Sequence, residues 1–386
     1  MRLPFIAALF LALVLPAFAD DAAVDALVRQ LGSDEAVARE EAEAKLVALG
    51  AEPEARLRAL AKEAEPEVKA RIERVLDGIA AERLKATDLI HERDIAAGPG
   101  CELEAESYSP DGSVLAVSIR GLRTWTTFVD LETGTSVDVA RQIRVFPGRK
   151  CAEFLSFDGT EILAWDGRTG KETRLADIRH PEHKCERTFV SPDGTLGWCD
   201  GYELPRKSLF CSFTDAPAPA VSDDLGALMN SPGRWSPDSQ YVALDGRLDW
   251  AGRHYLLAVV RRDGKVVLRQ DLPCGSNGMV WSPDSKLLYW TCEDKLHVFN
   301  PAGPEEVRCS DFTFRFLGFL DEKRALASEL EGKLHLLYAP TLAILKTWDF
   351  PKGCYSLISP DRKRIIILTV KAPAVDVRRF EFPKAK

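Results

Sequence analysis

The phrase Ser-Pro-Asp recurs five times along this chain, and the recurrence restricts the folds open to it. The copies are Ser109-Pro110-Asp111-Gly112, Ser191-Pro192-Asp193-Gly194, Ser236-Pro237-Asp238-Ser239, Ser282-Pro283-Asp284-Ser285 and Ser359-Pro360-Asp361-Arg362. Each reads as a β-turn: proline presets φ, aspartate bonds its own backbone, and glycine accepts positive φ. Tyr108, Val190, Trp235, Trp281 or Ile358 precedes the phrase, and short apolar stretches such as 114–117, 241–244 and 364–368 follow it. An apolar run on each side of a turn makes each copy the tip of a β-hairpin.

Two degenerate copies, at Phe146-Pro147-Gly148 and around Leu320-Asp321, extend the series to seven units spaced 37 to 46 residues apart. The second unit shows the content of a unit most fully. An innermost strand a leads into Phe146; strands b, c and d follow at 151–156, 161–166 and 172–176. A repeat of this length, with four strands and a Trp165-Asp166 pair followed by Thr169-Gly170-Lys171, has the form of a propeller blade. On these motifs residues 88–386 resemble a WD-repeat or TolB-like β-propeller. The Gly-His pair common in WD repeats is missing, which places the resemblance toward the TolB-like end. The fold expected is mainly β: a seven-bladed β-propeller with a small N-terminal helical domain. The last unit supplies three strands, at 355–358, 364–370 and 375–382. Residues 88–95 can supply its fourth, and such closure removes exposed sheet edges.

Residues 1–19 read as a secretory signal peptide: Arg2, then an apolar run to Pro16, then Ala17-Phe18-Ala19 before Asp20. The run is shorter than a membrane span requires, so the expectation is an exported protein, periplasmic or secreted, cleaved near Ala19 and at most peripheral to a membrane. Residues 20–86 have helical spacing. Leu27, Val28 and Leu31, then Val37, Ala42, Leu46 and Leu49, then Leu57, Leu60, Ile72, Val75 and Ile79 form apolar faces, broken at Gly32, Gly50 and Pro66. This pattern resembles HEAT-type helical repeats, with about four helices in two hairpins.

The net charge of −8 and pI near 5.5 give no support to a nucleic-acid partner, which requires a basic surface. Glycine-rich phosphate loops and nucleophile elbows are lacking, so no catalytic residue, metal or cofactor is assigned. His180, His183 and Cys185 lie close in sequence but lack a fourth ligand for zinc. Candidate interaction residues fall in the b–c loops of two blades: Arg120, Arg123 and Trp125 in the first, Arg247, Trp250 and Arg253 in the fourth. Loops on a rigid scaffold carry binding, and Trp and Arg are frequent anchors.

Export makes disulfides possible among the nine cysteines. Cys274 and Cys292 are symmetric about Pro283, Cys185 and Cys199 about Pro192, and Cys199 and Cys211 about position 205. Opposed positions in a hairpin are symmetric about its turn, so the expectation is at least one cross-strand bridge: Cys274 with Cys292, or two of the three cysteines Cys185, Cys199 and Cys211, of which only two can pair. The functional expectation is a non-enzymatic scaffold binding a protein partner in the cell envelope. The alternative is a propeller enzyme of lyase or hydrolase type, with titratable side chains converging on the channel mouth.

Overall fold

A computed structural model describes residues 21–96, 102–120, 124–139, 146–158, 161–175, 185–201, 209–214, 218, 225, 233–247, 255–276, 278–303, 308–329, 332–351, 354–369 and 374–382. The chain divides into two compact units, one ending at Ala86 and the other spanning Thr87–Phe382. Residues 1–19, read from the sequence as a signal peptide, lie outside the described residues. Among the described residues, no helix is long and apolar enough to cross a membrane.

The first unit contains α1 (Asp21–Leu31), α2 (Ala36–Ala48), α3 (Glu54–Glu63) and α4 (Pro66–Leu84). The breaks fall where the sequence places them. Gly50 ends α2 at φ 69°, a conformation that glycine adopts at little cost. Proline opens α4, where its missing N–H costs nothing. Val28, Leu31, Leu46, Leu57, Ile72 and Ile79 form the buried core. Gly78 lets α4 approach α2, since a Cβ there would stand 2.8 Å from Val47. Arg56 grips Asp25 through two hydrogen bonds of 2.8 and 2.6 Å, and Arg71 and Arg74 share Glu43 at 3.0 Å. Val37 departs from the expected apolar face, being 67% exposed. It precedes Ala42 by five residues, which turns it about 140° around the helix at 3.6 residues per turn.

The second unit is a seven-bladed propeller with seven separate antiparallel sheets, six of four described strands and one of three. The three-stranded sheet is blade three, formed by Cys185–Val190, Leu196–Gly201 and Leu209–Ser212. In blade seven, Cys354–Ile358, Arg364–Thr369 and Ala374–Glu381 are joined by Asp88–Ala96, which pairs antiparallel with the last of them from Asp88↔Glu381 to Ala96↔Ala374. The N-terminal strand therefore closes the ring, as its spacing predicts. Arg324 of blade six is nearly buried and holds both ends of this closure. Its guanidinium donates to Thr87 Oγ1 at 3.2 Å and lies 3.7 Å from the Phe382 ring centroid. Lys346 adds hydrogen bonds of 3.1 Å to Thr87 O and to Asp88 Oδ1.

The turn phrase has one geometry in all five copies. In the first, Ser109 Oγ donates to Asp111 Oδ1 at 2.7 Å and accepts from Val114 N at 3.0 Å, while Asp111 Oδ1 accepts from Ser113 N at 3.0 Å. The fourth residue has positive φ throughout: 70° at Gly112, 71° at Gly194, 61° at Ser239, 63° at Ser285 and 60° at Arg362. Glycine stands where the neighbouring turn comes close. A Cβ at Gly112 would meet the Asp361 carboxyl at 3.0 Å, and one at Gly194 would meet Arg149 O at 2.7 Å. Serine stands where its hydroxyl reaches back one blade: Asp193 N donates to Ser239 Oγ at 3.1 Å, and Asp238 N donates to Ser285 Oγ at 2.9 Å. The repeated turn thus ties neighbouring blades together as well as closing its own hairpin.

This difference makes a prediction. Arg362 has the same positive φ, and its side chain makes no contact of this kind. Arg362→Gly is expected to raise stability by ~0.5–1 kcal/mol by relieving backbone strain. Ser239→Gly relieves the same strain but leaves the Asp193 N–H without its partner, and is expected to lower stability by about 1 kcal/mol. Urea denaturation of the two variants measures the difference; equal gains would show that the Ser239 hydrogen bond contributes nothing.

The blades are also joined along the inner strands. The tryptophans that precede the turn phrase donate to the preceding blade: Trp235 Nε1 to Phe189 O at 2.6 Å, and Trp281 Nε1 to Arg234 O at 2.8 Å. Arg262 of blade four donates to Asp193 Oδ2 at 2.5 Å and to Thr195 Oγ1 at 2.6 Å in blade three. Burial alone would raise the Asp193 pKa, but hydrogen bonds from Ser191, Arg262 and Thr195 outweigh it and hold the carboxyl at about 2. The folded value lies below the usual 3.8, so this carboxylate contributes stability above that pH and loses it as pH falls toward 2.

Candidate functional site: the central channel

The seven inner strands surround a cavity of about 580 Å³ on the propeller axis, opening among the repeated turns. Pro110, Pro147, Pro192, Pro237 and Pro360 stand at this opening. Their fixed φ makes a stiff rim. The rest of the lining is mostly apolar, with Trp235, Val280, Leu317 and Leu357 partly exposed to the cavity and Met279, Trp281 and Phe316 buried behind them. The volume lies within the ~300–1,000 Å³ range of small-molecule sites.

Two charged side chains, Arg234 and Arg315, line this cavity, and no described carboxylate or histidine does so. Both arginines are solvent-exposed. Neither makes an ion pair or side-chain hydrogen bond among the described residues. Enclosure by protein on all sides, and next the Arg315 charge, push the Arg234 pKa below its ordinary value. A cation between apolar walls and next to a second cation is destabilised on both counts.

No sequence motif marks these arginines, although one trace of them is readable in the repeat. Aligned on the turn phrase, position 234 corresponds to Ser107, Phe189, Val280 and Leu357, so Arg234 is the only charged member of that set. A charge in the innermost strand of a radial sheet must either pair with a neighbour or face the axis.

Of the b–c loop residues, the described ones lie on strands. Trp125 lies on strand Thr124–Asp130, paired with Ile119 and packed half-buried against the blade-one core. It is therefore a structural strand residue and not an exposed loop anchor. Arg120 ends strand Val114–Arg120, opposite Thr124. Arg247 ends Tyr241–Arg247 and is exposed, with its guanidinium 5.4 Å from the Tyr255 ring centroid. Arg123, Trp250 and Arg253 lie outside the described residues, as do His180 and His183. The contributing blades, one and four, are not neighbours in the ring.

The cysteine register differs from the sequence expectation in both hairpins of blade three. Ser109 N bonds Val114 O across the turn at 2.8 Å, so the hairpin axis falls between the aspartate and the fourth residue, beyond the proline. Cys185 consequently faces Gly201, Cys199 faces Thr188 and Leu209, and Cys211 faces Gly197. No two of these cysteines are ladder partners. Cys274 precedes strand Met279–Trp281 and lies outside the ladder, yet its Sγ is 3.0 Å from Cys292 Sγ. Burial, followed by the Cys274 hydrogen bond, pushes the Cys292 thiol up to about 12. Cys151 and Cys309 are exposed, whereas Cys211 and Cys292 are buried. Native iodoacetamide labelling, mapped by peptide mass, is therefore expected to modify Cys151 and Cys309 before Cys211 and Cys292. Equal labelling of Cys292 and Cys309 would contradict this assignment.

Two other polar features belong to the scaffold. Asp245 is buried, which raises its pKa, and its Oδ2 accepts from Ser276 N at 2.9 Å and Oγ at 2.6 Å. It thereby anchors the segment leading into blade five. His91, Asp94 and Asp376 come together on the closing strands, with His91 Nδ1 3.1 Å from Asp376 Oδ1. The other Asp376 oxygen is held by Arg378 at 2.8 Å.

No protein-family model matches this sequence, and no curated protein sequence matches it. Among solved structures, the hydrazine synthase of Kuenenia stuttgartiensis aligns at a TM-score of 0.49 and 14% identity, over 75% of this chain and 98% of that one. The β-propeller domain of Cps50 (Swd1) from Myceliophteria thermophila aligns at a TM-score of 0.53 and 11% identity, over 76% of this chain and 99% of that one. At that identity the likeness is one of fold: this chain is similar to a β-propeller domain in its architecture.

Proposed function

We propose that this chain is a binding protein without catalytic activity: a rigid propeller that receives a protein partner in the cell envelope after export. The observation that carries the reading is the central channel. It combines apolar and aromatic wall with unpaired cations, groups that attract and orient a ligand. General acid–base chemistry needs a positioned proton donor and acceptor with pKa values near the working pH. The channel-lining side chains described here are arginines and neutral residues.

The finer assignment to the WD-repeat or TolB-like class draws support from blade two. Trp165 Nε1 donates to Ser156 Oγ at 2.7 Å, and Asp166 Oδ1 accepts from Arg168 N and Thr169 N at 2.9 and 3.0 Å. The Trp-Asp motif thus has a structural role, joining strands b and c and shaping the turn that follows. The helical unit is read as a HEAT-like pair of hairpins offering a second recognition surface.

Export rests on the pattern of residues 1–19 and carries a chemical consequence. In an oxidising compartment, Cys274 and Cys292 are expected to form a disulfide by exchange with an oxidised dithiol carrier, which takes up the two electrons and two protons released. The functional test is affinity capture of the exported protein from its native envelope. Recovery of a stoichiometric protein partner is expected. Turnover of a screened carbohydrate or peptide with no partner recovered would overturn the reading.

A further inference from the structure

Arg234 and Arg315 project into one apolar channel from blades four and six, on a chain whose net charge is −8. The protein is acidic overall, yet among the described residues the channel lining is cationic. A buried or enclosed charge is ordinarily paired, because an unpaired one is costly. Each guanidinium offers a planar fork of donors matched to a carboxylate. Here both side chains line the same cavity, and neither is bonded by any described side chain.

We propose that the channel is an anion-binding site whose ligand is a carboxylate carried on an apolar body. Arg234 and Arg315 receive the carboxylate, and the partly exposed walls at Trp235, Val280, Leu317 and Leu357 receive the body. The anion enters past the proline rim. It neutralises two neighbouring like charges at once, which is why a single carboxylate gains more here than beside an isolated arginine. The lowered pKa of Arg234 has the same origin, since desolvation and then the Arg315 charge depress it with no compensating anion. The channel volume of about 580 Å³ accommodates a ligand larger than a bare ion. This proposal rests on the binding-protein reading and specifies the chemistry that its ligand presents. The carboxylate can belong to a free small acid or to a protein segment.

The test uses the full chain and the fluorescence of Trp235 and Trp281, which line the site. Four probes are titrated: acetyl-Leu-Phe-Leu with a free C-terminal carboxylate, the same peptide as its C-terminal amide, benzoate, and inorganic phosphate. The free acid is expected to bind at least about tenfold more tightly than the amide, as a charge-assisted contact implies. Arg234→Gln and Arg315→Gln should each weaken acid binding by about tenfold and leave amide binding unchanged. Raising ionic strength should weaken the acid alone. Benzoate displacing the peptide acid assigns the site to small acids as well; binding of the peptide acid alone assigns it to a protein segment. Both results support the anion site.

Equal affinity for acid and amide, unchanged acid binding in the glutamine variants, or tighter binding of phosphate than of either acid overturns the proposal. Thermal melting controls for folding: removing an uncompensated cation should leave the ligand-free midpoint unchanged or higher, and a large fall would make Arg234 structural and overturn the assignment. The two readings fail separately. A partner captured equally well by the double glutamine variant, with acid binding unchanged in that variant, removes the anion site and leaves the scaffold function; arginine-dependent acid binding without any captured partner removes the scaffold function and leaves the anion site.

Discussion

A chain shortened to begin at residue 97 is expected to lose cooperative folding of the propeller, whereas one beginning at Thr87 is expected to keep it. The difference between the two is the closing strand Asp88–Ala96, which pairs with Ala374–Glu381 along its whole length. Its ladder hydrogen bonds contribute about 1 kcal/mol net apiece, and burial of Leu89 adds ~2 kcal/mol. The sum is of the same order as the ~5–15 kcal/mol that stabilises a typical domain. Loss of the strand also exposes the edge of Ala374–Glu381 and invites intermolecular pairing. It removes the Thr87 and Asp88 groups that engage Arg324 and Lys346 as well. Urea denaturation followed by tryptophan fluorescence, with size-exclusion chromatography, distinguishes the two chains. A peptide of residues 87–96 added in trans should restore a cooperative transition to the shorter one. If the chain from residue 97 unfolds at the same midpoint as the chain from Thr87, closure is not what holds the ring.

Trp281→Ala is expected to destabilise the propeller by ~3–5 kcal/mol, the usual cost of deleting a buried tryptophan. Trp281 is 6% exposed, stacks on Tyr241 at 6.0 Å between centroids, and donates across the blade boundary to Arg234 O at 2.8 Å. The packing and hydrogen-bond contributions are separable. Trp281→Phe keeps most of the ring volume and removes the donor, so its expected cost is ~1–2 kcal/mol. Equilibrium urea unfolding measures both. A phenylalanine variant as stable as the parent would assign the contribution to packing alone, while an alanine variant losing less than ~1 kcal/mol would show that the boundary between blades four and five collapses to fill the gap.

Both predictions concern how blades are joined, and here the sequence and the fold are unequally informative. The hairpin tips were legible because Ser-Pro-Asp turns are set by local chemistry: every hydrogen bond of the motif around Ser109 and Asp111 lies within six residues. The ring closure was legible by counting strands. The Trp165-Asp166 pair was legible as a blade motif, and the structure supplies its bond to Ser156. What the turn does beyond its own hairpin was not legible. The choice of serine at 239 and glycine at 194 reflects what the adjacent blade brings near, Asp193 N in one case and Arg149 O in the other.

The candidate site followed the same division. Trp125 looked like a loop anchor because Thr124–Asp130 begins immediately after the segment at 121–123, and one position decides whether a tryptophan is presented or packed. The cysteine pairings depended on locating the hairpin axis, and an axis misplaced by fewer than two residues separates every expected ladder pair. Cys274 and Cys292 meet by a route outside the ladder, through the approach to strand Met279–Trp281.

The amino-acid sequence by itself determined the repeat, its strand content, its turns and the order in which the strands enter the ring, because these depend on residues close together along the chain. The tertiary structure alone decided that Arg234 and Arg315, from blades four and six, share one enclosed space. That proximity arises only when the sheets are arranged radially about an axis, and it converts two unremarkable strand residues into a paired cationic site within apolar walls.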